Sequence, residues 1–344
     1  MIRNTDVIDE VPFPVLIADI GGTNARFALI EDVDSPIERM PDVSTSAYPS
    51  LEAAIEAAVY ARTELRPRSA LLAIAAPVNV TRIHLTNADW TIEPEKIVAG
   101  TQLEEMILLN DFEALSLSLP DLQADDIDPL DEAVPWESGA RVVIGPGTGL
   151  GAGALVRGRE SWIPVPGEGG HVDLGPVSAR DFAIWPNLER AHGRISGEAL
   201  LSGSGLVRLY RGICATDAAA PDLAQPSDIT EAGLSGTNPQ AVEALTLFAT
   251  YLGRTAGNLA LVFMARGGVY LAGGISGRIR STLKSGAFRR AFLDKAPHHA
   301  LLDTIPTSII TRDDPALAGI AAYARAPRRF VVDVAGRRWR KQAK

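Results

Sequence analysis

Three stretches of the chain set glycines against oxygen-bearing side chains at the end of an apolar run. They are Asp19, Gly21, Gly22, Thr23 and Asn24 at the close of VLIADI, Gly147, Thr148 and Gly149 after RVVIGP, and Gly273 and Gly274 after VYLA. Glycine lets a backbone turn sharply and approach a ligand, and several amide N–H groups facing one way make an anion site. Each turn taken singly is a hairpin turn or a phosphate-binding loop. None of them fits GxxxxGK[ST], or GxGxxG in its strand-to-helix setting, which sets aside a Walker NTPase and a Rossmann dehydrogenase. Together they read as two walls and an adenosine-side contact of a nucleotide site. Asp19 offers the hard oxygen that suits Mg²⁺ held through water, or else it hydrogen-bonds its own turn.

A second set of residues suits a polyhydroxylated ligand. Asn110 and Asp111 close the apolar run MILL. Asp111 reads as a helix N-cap, or as the carboxylate that accepts the proton of an attacking hydroxyl in phosphoryl transfer. The amide of Asn110 both donates and accepts, as sugar hydroxyls require. In PGEGGHVDLG, Glu168 and His171 stand among glycines and a proline, where neither helix nor core accounts for them. Glu198 follows Gly197 at an apparent helix start, where an acid favoured by the helix dipole is also expected.

The elements that must position these groups follow from apolar periodicity. Residues 15–20 and 26–30 read as a strand, a tight turn and a strand, and 141–156 repeats the design, which suggests two lobes built on one unit. The runs at 71–77 and 106–110 read as buried strands. Helices are expected from Ser50 to Leu65 with Ser50 as cap, after Asp111 with Phe112, Leu115 and Leu119 on one side, over 239–266, and over 313–326. Strands alternating with amphipathic helices predict an α/β protein with a largely parallel sheet. The Pro- and Asp-rich residues 119–139 read as a surface connection.

Composition limits the rest. The chain has 344 residues, 46% of them apolar, and a formal net charge of −9, which argues against non-specific nucleic-acid binding. Its apolar stretches are shorter than the ~20 residues that span a bilayer, and its acidic, proline-containing start is unlike a secretory signal, so a cytoplasmic protein with a loose leader is expected. One cysteine, Cys214, excludes an intrachain disulfide and a multi-cysteine zinc site. Eight basic residues between Arg325 and Lys344 face only Asp333 and read as a solvated tail, dispensable for catalysis.

In the motifs ADIGGTNARFAL, LTNADW, LLNDFEAL, GPGTGLG, PGEGGHVD, ISGEALLSGSGLVRLY, GNLAL, GGVYLAGGI and DPALAG, in that order between residues 15 and 326, the chain resembles the bacterial glucokinases of the hexokinase, actin and sugar-kinase superfamily. The resemblance implies two RNase H-like α/β lobes with an interdomain cleft. Residues 15–121 with 313–327 would form a small domain and 122–312 a large one, with 1–14 and 328–344 as terminal extensions. It implies that glucose is phosphorylated at its 6-hydroxyl by Mg·ATP, the first step of glycolysis. Asp111 would be the general base. Asn110, Asp111, Glu168, His171 and Glu198 would bind the sugar, with Asn87 in a substrate-side motif. Asp19, Gly21, Gly22, Thr23, Asn24, Gly147, Thr148, Gly149, Gly273 and Gly274 would hold the nucleotide, with Asp19 near Mg²⁺. The cysteine-rich zinc motif of the related ROK proteins is absent, and a homodimer is the family's common assembly. A kinase for another hexose or an amino sugar, a non-catalytic sugar sensor, and an actin-like ATPase are the competing readings.

Overall fold

The expected apolar runs form strands in the computed structural model, which describes Ile8 and residues 10–76, 78, 82–85 and 90–341. Asn87 lies outside the described residues. The architecture is α/β with mixed sheets, and the chain divides into two compact units. One comprises residues up to 122 with 157–166 and those from 313 onward; the other comprises 123–156 and 167–312. The expected division differs from this one in the segment 157–166 and in the two ends, all of which belong to the first unit.

In the first unit, Val15–Ile20 pairs antiparallel with Asn24–Ile30 and parallel with Ser69–Ile74, which pairs parallel with Glu105–Asn110. Residues buried on both faces, as in VLIADI and SALLAI, are what the interior of a partly parallel sheet demands. Ser50 caps the helix Leu51–Ile55, its Oγ accepting from the Ala53 N–H, and the chain continues in a wider turn over Glu56–Tyr60, short of the expected Leu65. The helix Asp111–Ser118 packs on Pro315–Arg325. The contact is close because residue 319 is glycine: a Cβ there would stand 1.9 Å from the Ala114 carbonyl oxygen.

Both ends are part of this unit, against the expectation of loose extensions. Ile8 and Val11 are buried, and the Ser69 hydroxyl donates to the Pro12 carbonyl at 2.7 Å. At the other end Phe330, Val332 and Val334 are buried, and Arg338–Arg340 adds an antiparallel strand to Glu105–Asn110. The basic residues find partners distant in sequence, such as Asp121 for Arg329 and Glu105 for Arg338. Through residue 341 the tail is therefore folded, not solvated.

The second unit repeats the arrangement. Leu150–Arg157 pairs antiparallel with Arg141–Pro146, which runs parallel to Val269–Leu271, and that in turn runs parallel to Thr307–Ile310. The stretch expected to be a surface connection contributes Ile127–Pro129, antiparallel to Thr307–Ile310, and Lys284 holds Asp128 at 2.7 Å. Its acidic composition hid a strand whose charge is neutralised from a helix far along the chain. The helix Pro239–Phe263 lies against Ala287–Leu293, where a Cβ at Gly253 would stand 2.2 Å from the Phe288 carbonyl oxygen.

Candidate functional site

Strand register places the first group of functional residues. Ile20 stands opposite Ile74, and Ile74 opposite Asn110. The glycine turn after Ile20 and the Asn110-Asp111 turn thus leave the sheet at the same edge, the carboxyl ends of parallel strands, where open α/β sheets bind ligands. Within the turn, the Gly21 N–H donates to the Asn24 carbonyl at 3.0 Å, while Thr45 takes the carbonyls of Gly22 through its hydroxyl at 3.0 Å and of Thr23 through its N–H at 2.9 Å. Carbonyl oxygens repel an anion, so a turn whose carbonyls are tied up by Thr45 suits phosphate.

Asp19 Oδ2 lies 3.3 Å from Arg26 Nη1, and the same guanidinium reaches Asp42 at 3.3 Å and Asp314 at 3.2 Å through Nε. Burial pushes the Asp19 carboxyl above its ordinary range, and Arg26 offsets only part of that push. Arg26 and Asp314 were not singled out from the sequence. Their signal was there, since both stand inside the motifs ADIGGTNARFAL and DPALAG.

The cap of the helix Asp111–Ser118 is Asn110, not Asp111. Asn110 has the extended backbone a cap needs (φ −69°, ψ 149°), and its Oδ1 accepts from the N–H groups of Phe112 at 3.0 Å and Glu113 at 3.2 Å. Glu113 Oε2 accepts in return from the Asn110 N–H at 3.3 Å, which completes a capping box. Two consequences follow. The Asn110 side-chain oxygen is committed, so what it can offer a sugar is its NH₂ group. Asp111, half-buried in the first turn, accepts from the Phe112 N–H at 3.0 Å, but the helix does not depend on it to start.

The second unit gathers the remaining residues. Glu198 sits in the first turn of Gly197–Leu200, which Ser196 caps, and its Oε2 accepts from the Leu150 N–H at 2.9 Å. A Cβ at Gly149 would stand 2.4 Å from that oxygen, so a side chain there would push the Glu198 carboxylate aside. The Gly147 carbonyl accepts from the Gly203 N–H at 2.9 Å, and nothing lies within 4 Å of where a Cβ on Gly147 would point. Thr148 stands between these two glycines at the tip of the turn. Gly273 continues from a parallel neighbour of the same strand, with φ +79° and space for a Cβ closed by the Pro146 carbonyl oxygen at 2.4 Å. Gly274 follows it into the helix Gly273–Arg278.

Glu168 and His171 flank a single 3-10 turn, Gly169–His171, in which the His171 N–H donates to the Glu168 carbonyl at 3.0 Å. The imidazole lies between two carboxylates, Nε2 at 3.7 Å from Glu168 Oε2 and Nδ1 at 3.9 Å from Glu198 Oε1. Those separations are too long for direct hydrogen bonds and leave the polar atoms to bind through hydroxyls. Glu168, with 80% of its side chain exposed, forms the open side, and Glu198 at 34% the floor. Gly170 lets this turn lie on the strand, since a Cβ there would stand 1.9 Å from the Leu150 carbonyl oxygen. Glu168, His171, Glu198 and both later glycine turns are thus brought together in one unit, and Asp19 to Asn24 with Asn110 and Asp111 in the other.

A family model described as glucokinase matches residues 16–327. The glucokinase of Brucella suis is 51% identical over 335 residues, covering 97% of this chain and 98% of that protein. The glucokinase of Rhizobium johnstonii is 51% identical over 331 residues, covering 96% of this chain and 97% of its own. Among solved structures, a glucokinase from an Antarctic psychrotroph superposes with a TM-score of 0.81 at 31% identity, over 90% of this chain and 98% of that one. A ROK family glucokinase from Streptomyces griseus shares the fold, with a TM-score of 0.60 at 22% identity over 91% of this chain and 98% of its own. With motifs, strand order and near full-length identity in agreement, the chain belongs to the glucokinase family.

Proposed function

We propose that the chain transfers the γ-phosphoryl group of Mg·ATP to the 6-hydroxyl of glucose, with Asp111 taking the hydroxyl proton as the oxygen attacks phosphorus. Family membership makes the protein an enzyme of glucose phosphorylation. The observation that carries the mechanistic reading is the division of labour at residues 110 and 111: Asn110 caps the helix, so a carboxylate at 111 is not there to start it. Phosphoryl transfer leaves a protein little covalent chemistry to do beyond positioning, charge stabilisation and acceptance of this proton.

The glucose hydroxyls would meet Asn110, Glu168, His171 and Glu198, the glycine turns at 21–24 and 147–149 would contact the phosphates, and Gly273 and Gly274 the adenosine. Both units carry the same strand order, an antiparallel hairpin continued by parallel strands, which supports reading each of them as an RNase H-like lobe. Among the described residues no group of three or more His, Cys, Asp and Glu could hold a metal. Mg²⁺ would enter with ATP and be held through water by Asp19, whose carboxylate is a fitting hard donor. When bound, it would neutralise charge on the transferring phosphoryl group.

A coupled ADP-release assay over a hexose panel tests this. Glucose is expected to exceed its 2- and 4-epimers clearly in kcat/KM, because a moved hydroxyl leaves a polar partner that the bound sugar covers without its hydrogen bond, at roughly 1–3 kcal/mol. Equal use of mannose or galactose would remove glucose as the substrate and leave a hexose kinase. A second variant checks the sugar side. Gly170→Ala forces the 3-10 turn off the Leu150 carbonyl, an overpacking worth about 1–3 kcal/mol, and displaces His171. KM for glucose should rise severalfold with KM for ATP little changed; the opposite split would place this turn on the nucleotide side.

A further inference from the structure

The Arg337 guanidinium is 7% exposed and forks onto Glu113, itself 1% exposed, with Nη1 at 2.5 Å from Oε2 and Nη2 at 3.1 Å from Oε1. Glu113 Oε2 is the oxygen that accepts the Asn110 N–H in the capping box. Arg337 is itself fixed. Its Nη2 also donates to the Asp333 carbonyl, and its own carbonyl accepts from the Leu108 N–H at 3.0 Å, on the strand that delivers Asn110. One continuous set of contacts therefore runs from the folded tail through a buried ion pair to the cap, and the next residue is Asp111. Arg337 lies beyond residues 16–327, the span the family model matches.

The chemistry of this pair makes it more than packing. A carboxylate as buried as Glu113 is strongly disfavoured without its partner, because the desolvation of its charge is then uncompensated. It must protonate or swing toward water. Either response weakens or breaks its bond to the Asn110 N–H, and the first turn of the helix loses the constraint that sets the direction of the Asp111 side chain. Glu105, 2% exposed nearby on the same sheet, is supplied by the same tail through Arg338 at 2.6 Å and Arg340 at 3.2 Å, so the tail furnishes counter-charges for two buried acids. Glu105 lies at the start of the strand Glu105–Asn110 and Asn110 at its end. Only Glu113 makes the connection to the cap.

We infer that Arg337 is a positioning residue for phosphoryl transfer, holding the Asp111 carboxylate where it accepts the proton of the attacking hydroxyl, through Glu113 and the Asn110 cap. This rests on the reading of Asp111 as the base. Small displacements of a reacting group can lower rates by up to about 10²-fold, and that is the scale of effect to look for.

The test uses the full-length protein carrying Asp111→Asn, Arg337→Gln, Arg337→Lys, or Asp111→Asn with Arg337→Gln. Turnover at saturating glucose and Mg·ATP is normalised to the folded fraction, and the melting temperature of the same samples is recorded. Arg337→Gln should lose on the order of 10- to 100-fold in kcat. Arg337→Lys should recover part of it, since an ammonium keeps the charge without the fork. In the Asp111→Asn background, Arg337→Gln should lower the melting temperature as before yet take nothing more from kcat. Normal turnover per folded Arg337→Gln molecule, beside an inactive Asp111→Asn, overturns the inference and leaves the base assignment standing. Near-normal turnover of Asp111→Asn overturns the base assignment and this inference with it. If Arg337→Gln does not fold, two pairs that bury no charge replace it: Glu113→Gln with Arg337→Met, and Glu113→Leu with Arg337→Met. Only glutamine offers an acceptor to the Asn110 N–H, so the first pair should exceed the second at least several-fold in kcat. Equal turnover in the two pairs overturns the positioning role.

Discussion

Asp111→Asn is expected to phosphorylate glucose about 10²–10⁴-fold more slowly than the parent while melting within a few degrees of it. The amide keeps the size of the carboxylate and can still accept a hydrogen bond, such as that from the Phe112 N–H at 3.0 Å. It cannot take the proton of the attacking hydroxyl. The stability side of the prediction rests on Asn110, whose side chain and not that of Asp111 satisfies the first N–H groups of the helix. The substitution removes one negative charge from a helical first turn, where such a charge is worth about 0.3–1 kcal/mol. A structural role alone would give the reverse pattern, with turnover retained and stability lowered. Measuring kcat and melting temperature on one preparation separates the two, and near-normal turnover would end the assignment of Asp111 as base.

The elements that carry the chemistry were readable because strand ends announce themselves locally. An apolar run closed by Asp19-Ile20-Gly21-Gly22, or by Asn110-Asp111, marks both the strand and the turn that leaves it. The sugar side was readable for a different reason: Glu168 and His171 sit in glycine-rich surroundings that neither core nor helix explains, while Glu198 reads locally as a first-turn acid and stands out through the motif around it. What local reading missed was decided by backbone angles and side-chain contacts that residue types alone do not display. The identity of the cap turned on the backbone angles of Asn110 and on Glu113, three residues on, reaching back to it. Residues 127–129 look like loop because Asp128 is acidic, and its neutralisation by Lys284 is invisible from either position alone. The basic tail reads as solvated for the same reason: its counter-charges are Glu105 and Glu113, more than 200 residues earlier.

Ending the chain after Pro327 should accordingly unfold the protein, not merely trim it. The deletion removes Phe330, Val332 and Val334, each at most 1% exposed, and burial of side chains of this kind contributes about 1.5–3 kcal/mol apiece. Phe330 packs edge-on against Tyr323 with ring centroids 6.3 Å apart, and the Val331 N–H donates to the Trp162 carbonyl at 2.7 Å, so the loss reaches the segment 157–166 as well. The deletion also strands the Glu113 carboxylate, and removing one partner of a buried pair costs about 3–5 kcal/mol. Burial already pushes the Glu105 carboxyl up against the pull of Arg340, and without the tail nothing opposes that push from this side. Set against a total stability of about 5–15 kcal/mol for a folded domain, the sum is enough to depopulate the native state. Soluble yield and the urea midpoint of the truncated chain provide the measurement, with the full-length protein beside it. A truncated chain that melts with the full-length one would show that the tail's buried contacts contribute nothing to the fold. A chain that folds but turns over slowly would separate its structural contribution from its effect on Asp111, because the deleted segment also contains Arg337.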